Sequence, residues 1–599
     1  MAVKERVAKL LEEALRRCVA EGILPPGDHE VALDAPKQAA HGDFSCNVAM
    51  VLAKQHMQAQ GLAKPNPRAL AQAIVDRIDD PEHLLQGKPD IAGPGFLNLR
   101  LAHDVWQRAL KVIWEERERF GHSDAGKGQR TMVEFVSANP TGPMHVGHGR
   151  GAVIGDVIAN LLDWAGYRVA REFYINDAGG QVWRLAHAVL ARATEIRTDV
   201  PRVQLDPEDY QGEYVREVAQ AWLDQGGDPA QAFERIKEPL RAFATQWILR
   251  ELIEKDLELF GIRFDRFFSE KTLHDEHRLE AAIRLLDEKG LTAFEVLPPP
   301  RGVDVAKPAP GSPSSDDEYV AKPLKVVKTT RFGDDRDRPL FKTNGEPTYF
   351  AADVAYHFDK ISRGFTRLVN VWGADHGGYV PRMKAAVAAL GGELEVILFQ
   401  LVNLMKDGQP FRMSKRAANF VTLRELLEVA GPDATRVFFL LRRGDMALDF
   451  DVGLAQKRDS DNPVFYVQYG HARCAAILRR AKEEKGIEPS WDPEAMGALT
   501  LPEEIELSKR LLTLPEAVAQ AAAALEPHRM VFWLQETIAQ FHGYYTKYKK
   551  TERVISDDPR KTRARLFLVW ALRQTLANAL AILGVSAPDR MDAPAEVEE

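Results

Sequence analysis

The sequence predicts an α/β protein. A parallel, doubly wound sheet forms the body, a smaller α/β module precedes it, and an all-α bundle follows. Three observations carry this. From residue 131 the chain reads TMVEFVSA, NPTGP, a long apolar-periodic run and RVAREFYIND, the strand, turn, helix and strand of a βαβ unit. Ahead of it, helical stretches alternate with two short strand-like runs, and beyond about 463 the pattern is almost entirely helical. At 599 residues the chain exceeds what one hydrophobic core holds, so several domains are expected.

Composition narrows the class. With 45% hydrophobic and 28% charged residues the chain is an ordinary globular protein rather than a disordered or fibrous one. A net charge of −8 excludes an evenly basic coat for nucleic acid and leaves room for a local basic face. Cys18, Cys46 and Cys474 stand far apart and form no C-x-x-C pairing with histidine, so buried free thiols are expected, not a zinc knuckle or a disulfide framework. No uninterrupted apolar run follows the basic N-terminal residues, and no stretch approaches the roughly 18 consecutive apolar residues of a membrane span. A cytoplasmic protein without membrane attachment is expected.

The first domain, residues 1–120, opens on MAVKERVAKLLEEALRRCVAEG, where Val3, Val7, Leu10, Leu11, Ala14 and Leu15 share one helical face. HEVALDAP and DIAGPGFLNLRL read as its strands, and the glycine-rich GHSDAGKG at 121–128 as a linker. In the second domain, 129–462, Val153, Ile154, Val157, Ile158, Leu161 and Leu162 recur at helical spacing, with Gly166 where a C-terminal cap belongs. That helix must start near His145 and His148. A helical insertion is expected over about 190–290, and an exposed Pro/Ser/Asp-rich loop over about 297–318. PLKVVKTT and LVNVWGAD are then expected to extend the same sheet. The third domain, 463–591, is the helical bundle, and an acidic tail, 592–599, follows it. Within the bundle, Tyr544, Tyr545 and Tyr548 interleave with Lys547, Lys549, Lys550 and Arg553. Such a mixture suits stacking on unpaired bases beside a phosphate backbone, and it equally suits a solvated helix end.

The chemistry concentrates in SANPTGPMHVGHGR, residues 137–150. A helical zinc site would use histidines at i and i+4 with a nearby glutamate; here they are i, i+3 and lack such partners. A dinucleotide fingerprint would place its glycines ahead of the helix, whereas Gly149, Gly151 and Gly155 fall inside it. A phosphate site fits better. The helix N-terminus offers N–H groups and positive dipole, His145 and His148 lie one turn apart, Gly147 leaves room for nucleotide, and Pro140 and Pro143 stiffen the turn. A pair of histidines at a helix start is nonetheless more often structural. A second element, QPFRMSKRAANFVTL at 409–423, changes that weighting, because it supplies a basic loop after a late strand run.

His145-Val-Gly147-His148 together with Arg412-Met413-Ser414-Lys415-Arg416 resembles the two signatures of class I aminoacyl-tRNA synthetases. Within that class the chain is similar to the arginyl-tRNA synthetase family, through HGDFSCNVAMVLAK, AGPGFLNLRL, EPTYFAADVAYHFDK, VWGADHGGYVPRMKAA, DNPVFYVQYGHAR and LGVSAPDRM. The resemblance implies a Rossmann-like catalytic domain, an N-terminal module that touches the tRNA elbow and a helical anticodon-binding domain. It implies that L-arginine is attached to tRNA(Arg) through an arginyl-adenylate. ATP enters with Mg2+, no protein-bound zinc is needed, and the chain acts as a monomer. His145, Gly147, His148, Met413, Ser414 and Lys415 would bind ATP, with His145, His148 and Lys415 catalytic. Glu134, Asn139, Tyr349 and Asp353 would hold arginine, Asp375 and His376 are candidates for the adenylate end, and Phe96, Asn98, Tyr544 and Tyr545 for tRNA. Two departures stand out: Arg412 replaces the first signature lysine, and the chain continues past Met591, where family members commonly end. A cysteinyl enzyme would need zinc-binding cysteines, and a lysyl enzyme would not need paired carboxylates for a planar guanidinium. Intact His145, His148 and Lys415 argue against an inactive tRNA-binding relative.

Overall fold

A computed structural model describes residues 3–36, 38–296, 322–406, 408–411 and 421–591. The second signature, Arg412 to Arg416 with Met413, Ser414 and Lys415, lies outside the described residues, as do the loop assigned to 297–318 and the acidic tail.

The N-terminal module opens with the expected helix, Val3–Ala20, which buries Val3, Val7, Leu10, Leu11, Ala14, Leu15 and also Cys18. Its small antiparallel sheet is built from β1 (Phe44–Cys46), β2 (Asp90–Ala92) and β3 (Phe96–Leu99). HEVALDAP contributes no strand, only a bridge from Asp34 to Ser45, because Leu33 alone in it is buried. The stretch at 121–128 stays against the body: Ser123 N–H donates to Trp164 O at 2.9 Å and Gly126 N–H to Ala165 O at 2.7 Å.

The body is a five-stranded sheet containing β4 (Arg130–Glu134), β5 (Arg168–Ile175) and β6 (Arg266–Ser269). A smaller sheet follows, of β7 (Thr292–Glu295), β8 (Leu324–Val327) and β9 (Arg338–Pro339). The chain returns to the main sheet with β10 (Arg367–Gly373) and β11 (Glu393–Phe399). A third small sheet joins β12 (Val402–Lys406), β13 (Gln409–Pro410) and β14 (Leu448–Asp451). The order in the main sheet is β11-β10-β4-β5-β6, every pair parallel. From β4 the chain builds outward to β5 and β6, then restarts on the other side with β10 and β11. The switch between β4 and β10 opens a crevice at their carboxyl ends, where doubly wound sheets bind ligands.

One expectation needs correcting. PLKVVKTT does not extend the main sheet: β8 pairs antiparallel with β7 and β9. Its four residues are only half covered, and Lys325 and Lys328 reach exposed Asp287 and half-buried Glu295, which suits an antiparallel strand with one wet face. Helices are found within the range expected over about 190–290, most of them in the crossover from β5 to β6, since parallel neighbours cannot be joined by a hairpin. They include Gly180–Ile196, Tyr214–Asp224 and Phe233–Ile248, the last continuing through a π-helical turn, Leu249–Glu254.

From Pro463 the chain is helical, and its bundle shares one continuous core with the body. Pro559–Leu583 is long and apolar enough to cross a membrane, but 78% of its apolar window is buried inside this bundle. Cys18, Cys46 and Cys474 are free and buried.

Candidate active site

The helix Val146–Trp164 starts where the sequence places it. His145 is the N-cap, in extended backbone, and the two histidines cap each other: His148 N–H donates to His145 Nδ1 at 3.2 Å and His145 N–H to His148 Nδ1 at 3.3 Å. The rings stack at 3.7 Å between centroids. With Nδ1 accepting on both rings, a neutral imidazole carries its proton on Nε2. Burial lowers the pKa of His145, and burial aided by His145 lowers that of His148 to about 3, so both are neutral donors near pH 7. Gly147 lies beneath His145, where a Cβ would come within 2.9 Å of the ring. The glycines that mimic a dinucleotide fingerprint serve helix packing: a Cβ at Gly155 would meet Phe135 at 2.2 Å, at Gly151 Phe399 at 2.8 Å, and at Gly149 Leu423 at 2.6 Å.

The turn between β4 and this helix is strained. Val136 and Ser137 both have positive φ, 68° and 44°, which is unfavourable for a β-branched residue by about 1–3 kcal/mol. Two contacts hold it: Ser137 Oγ donates to Glu134 Oε1 at 3.0 Å and accepts from Tyr174 N–H at 3.3 Å. The turn carries Asn139 to the cavity wall, where its amide donates to Gln181 at 2.6 Å.

The cavity, about 960 Å3, fills the crevice between β4 and β10. Glu134, Asn139, His145, Gly147, His148, Tyr349, Asp353, Asp375 and His376 all line it, so one space joins the predicted amino-acid and nucleotide residues. Its floor is acidic. Glu134 is buried and accepts from fully buried Lys360 at 2.6 Å. Asp353 accepts from the Tyr379 hydroxyl. Its carboxyl is pushed up to about 7, chiefly by burial and further by Glu134 and Glu270. Glu134, Glu270 and Asp353 thus face the space, with Lys360 paired to Glu134. Tyr349, 84% exposed, and the Asp375–His376 pair at 3.4 Å stand at the rim.

Sequence reasoning missed Glu270, Tyr174, Asn370 and Tyr379, all of which line the cavity. Glu270 follows β6 directly, and burial, with Glu270 and Asp353 nearby, raises the Tyr174 phenol. His357 is held neutral, at about 3, by burial and by Lys360; its ring meets Asp353 O and Asn370. The one available signal was position: Glu134 and Glu270 sit at the carboxyl ends of main-sheet strands, and Asn370, in the middle of β10, is the cross-strand partner of Glu134.

Lys415 lies outside the described residues, but the chain on its far side returns to the first signature. Val146 N–H donates to Val421 O at 3.3 Å, Leu423 N–H donates to Met144 O at 2.8 Å, and His145 bridges Thr422. On its near side, Phe411 N–H donates to Leu404 O at 2.8 Å.

The tRNA candidates divide. Phe96 is 38% exposed, but Asn98 is 8% exposed and accepts from Ser45 Oγ at 3.1 Å, so strand pairing with β1 removes it from the surface. Tyr544 is a correction too: its ring is core, 2% exposed, with its hydroxyl on buried Glu504. Tyr545 is half-buried under Arg473, whose guanidinium lies 5.2 Å from the ring centroid. Both line a cavity of about 520 Å3 with Tyr469, Arg480, Arg590 and Met591.

A parallel sheet with an H-x-G-H helix start at its switch point, to which the chain after R-M-S-K returns, defines a class I aminoacyl-tRNA synthetase. Three family descriptions match this chain: "Arginyl tRNA synthetase N terminal domain" over 5–101, "tRNA synthetases class I (R), catalytic domain" over 111–214, and "DALR anticodon binding domain" over 467–591. An arginine–tRNA ligase of Anaeromyxobacter dehalogenans (strain 2CP-C) is 47% identical, the alignment covering 99% of this chain and 98% of the relative. That of Syntrophotalea carbinolica is 43% identical, covering 98% and 100%. The Thermus thermophilus arginyl-tRNA synthetase structure superposes with a TM-score of 0.69 at 21% identity, covering 98% of this chain and all of that one, and so shares the fold. The chain belongs to the arginyl-tRNA synthetase family.

Proposed function

We propose that this cavity attaches L-arginine to tRNA(Arg) in two steps. Aminoacylation of tRNA with arginine at the expense of ATP is the activity of the family to which the chain belongs. In the first step the arginine carboxylate attacks the α-phosphate of ATP and pyrophosphate leaves; in the second the terminal ribose hydroxyl of tRNA takes the arginyl group and AMP leaves. Neither step needs a protein nucleophile. Catalysis is positioning plus neutralisation of charge as it develops.

The observation that carries this reading is the union of an acidic floor with a capped helix start in one cavity. A guanidinium is planar and presents paired donors, so Asp353, Glu270 and Glu134 suit it where a point charge would leave acceptors unmatched. Tyr349 covers the opening, and Asn139 sits toward the helix start. There the Nε2–H groups of His145 and His148, the helix N-terminus and Gly147 meet the phosphates. Lys415, with Met413 and Ser414, is assigned to the phosphates by its signature, and Mg2+ arrives as part of the ATP complex. Asp375 and His376 border the adenylate.

tRNA contacts both flanking domains in this reading. Phe96 of the N-terminal module faces the elbow, and the cavity of Tyr469, Arg473, Tyr545 and Met591 holds an anticodon base between aromatic and guanidinium faces. The enzyme works as a cytoplasmic monomer and needs no protein-bound zinc. Incubation with ATP, Mg2+, tRNA and each amino acid in turn tests the assignment: arginine alone should be charged, and charging by another amino acid overturns it.

A further inference from the structure

We propose that Arg150 is a positioning residue for the nucleotide end of the cavity: from the first turns of the His145 helix it fixes the Gln400–Leu401 wall relative to the two histidines, and so governs ATP affinity without touching ATP. The inference rests on the functional reading above.

Arg150 is fully buried. Its Nη1 donates to Gln400 O and Met446 O, each at 2.8 Å, and its Nη2 to Arg443 O at 3.0 Å. Two segments remote from each other in sequence are therefore gathered by one guanidinium. They are also tied to one another: Gln400 N–H donates to Gly444 O at 2.8 Å and Leu448 N–H to Leu401 O at 3.2 Å. Phe399, Gln400 and Leu401 line the cavity that holds His145 and His148. One residue beyond Arg150, Gly151 lets the Phe399 ring lie against the same helix. The wall is thus registered on the helix by a ring at Gly151 and by a charged fork at Arg150.

Beyond Leu401 the chain enters β12 and reaches Phe411, the last described residue before the second signature. Arg150 accordingly fixes the chain where it enters β12. Burial lowers the Arg150 pKa to about 10, which leaves it charged at neutral pH. A buried charge partnered by carbonyl dipoles is unfavourable unless its hydrogen bonds are well formed, and only the five-donor guanidinium fork reaches three acceptors in two segments. The arginine end rests on other supports: Glu134 on Lys360 and Ser137, and Asp353 on Tyr379, none of which Arg150 hydrogen-bonds. A residue that merely stabilised the fold would weaken both substrates alike; a positioning residue separates them.

The test measures equilibrium binding of ATP and of arginine separately, together with steady-state charging, in Arg150→Lys, Arg150→Met and Gly444→Val. The last variant pushes the partner loop away from Leu398 O, to which a Cβ at Gly444 would already approach within 3.2 Å; on the helix that Cβ meets Ile154 Cδ1 at 3.5 Å, an ordinary contact. In each folded variant the Kd and KM for ATP should rise at least tenfold with the Kd for arginine within twofold. ATP affinity within twofold of wild type, or equal weakening of both ligands, overturns the proposal. Gly444→Val decides the matter should Arg150→Met not fold. Failure of the wild type to charge arginine would refute the functional reading alone, since ATP binding is measured without charging.

Discussion

Arginine affinity should depend on pH through Asp353. In the ligand-free protein burial, then Glu134 and Glu270, lifts its pKa from 3.8 to about 7 against the opposing pull of Tyr379 and Lys360. A bound guanidinium pairs with the ionised carboxylate, so at lower pH binding must expel a proton. With a pKa of about 7 the ionised fraction is about 0.9 at pH 8 and about 0.1 at pH 6, so the Kd should rise about tenfold from pH 8 to pH 6. The guanidinium itself does not titrate there, and His148 and His357, both near 3, stay neutral across the range. Stability of the free protein follows the same carboxyl. Its folded pKa is raised above the unfolded one, so the folded state holds the proton more tightly. The contribution is present below about pH 4 and is lost as pH climbs through about 7, a difference on the order of 4 kcal/mol. Calorimetric titration with arginine at pH 6, 7 and 8, in two buffers of different ionisation enthalpy, reads both the affinity and the proton released. In Asp353→Asn the affinity should fall about 100-fold, equivalent to about 3 kcal/mol, and its pH dependence should vanish. A Kd flat from pH 6 to 8 in the wild type, or a tenfold slope that survives in Asp353→Asn, would refute the reasoning.

Three further outcomes are expected. Lys415→Ala should lose at least 100-fold in kcat, about 3 kcal/mol of transition-state stabilisation, with arginine affinity unchanged; an unaltered kcat in single-turnover charging would show that the loop is misassigned. Gly155→Ala places a Cβ 2.2 Å from Phe135 Cγ and should lower unfolding free energy by about 1–3 kcal/mol in urea melts. A neutral result there would mean that helix and sheet do not depend on that close approach. Arg473→Ala removes the cation above Tyr545 and should raise KM for tRNA about tenfold while KM for ATP and arginine hold; uniform changes in all three would count against a tRNA role for that cavity.

The signature helix was fully legible in the sequence, because its apolar spacing, its stop near Gly166 and the paired histidines at its start all point one way, and local capping is what the structure shows. Tyr544 was misread although its phase was available: with Phe541 and Tyr548 it shares a stripe at i, i+3, i+7, the stripe of a core-facing helix, while Lys547 and Lys549 fall elsewhere. Glu270 was not legible. It follows a four-residue strand, RFFS, and nothing local says that this strand lies beside β5 with its carboxyl end at the cavity. PLKVVKTT illustrates the same limit, since a strand pattern specifies burial of a face and not the identity of its neighbours. Site residues on one continuous motif were found, and those gathered by the strand order were found only where the family resemblance supplied them.

The central claim is that carboxylates in this cavity select a guanidinium. Citrulline tests it most directly, since it matches arginine in length and shape but ends in a neutral ureido group. Steady-state kcat/KM for tRNA charging with arginine, citrulline and lysine should favour arginine over both by about a thousandfold or more, because the buried acceptors are left unmatched by either rival. Citrulline or lysine charged within tenfold of arginine would contradict the account.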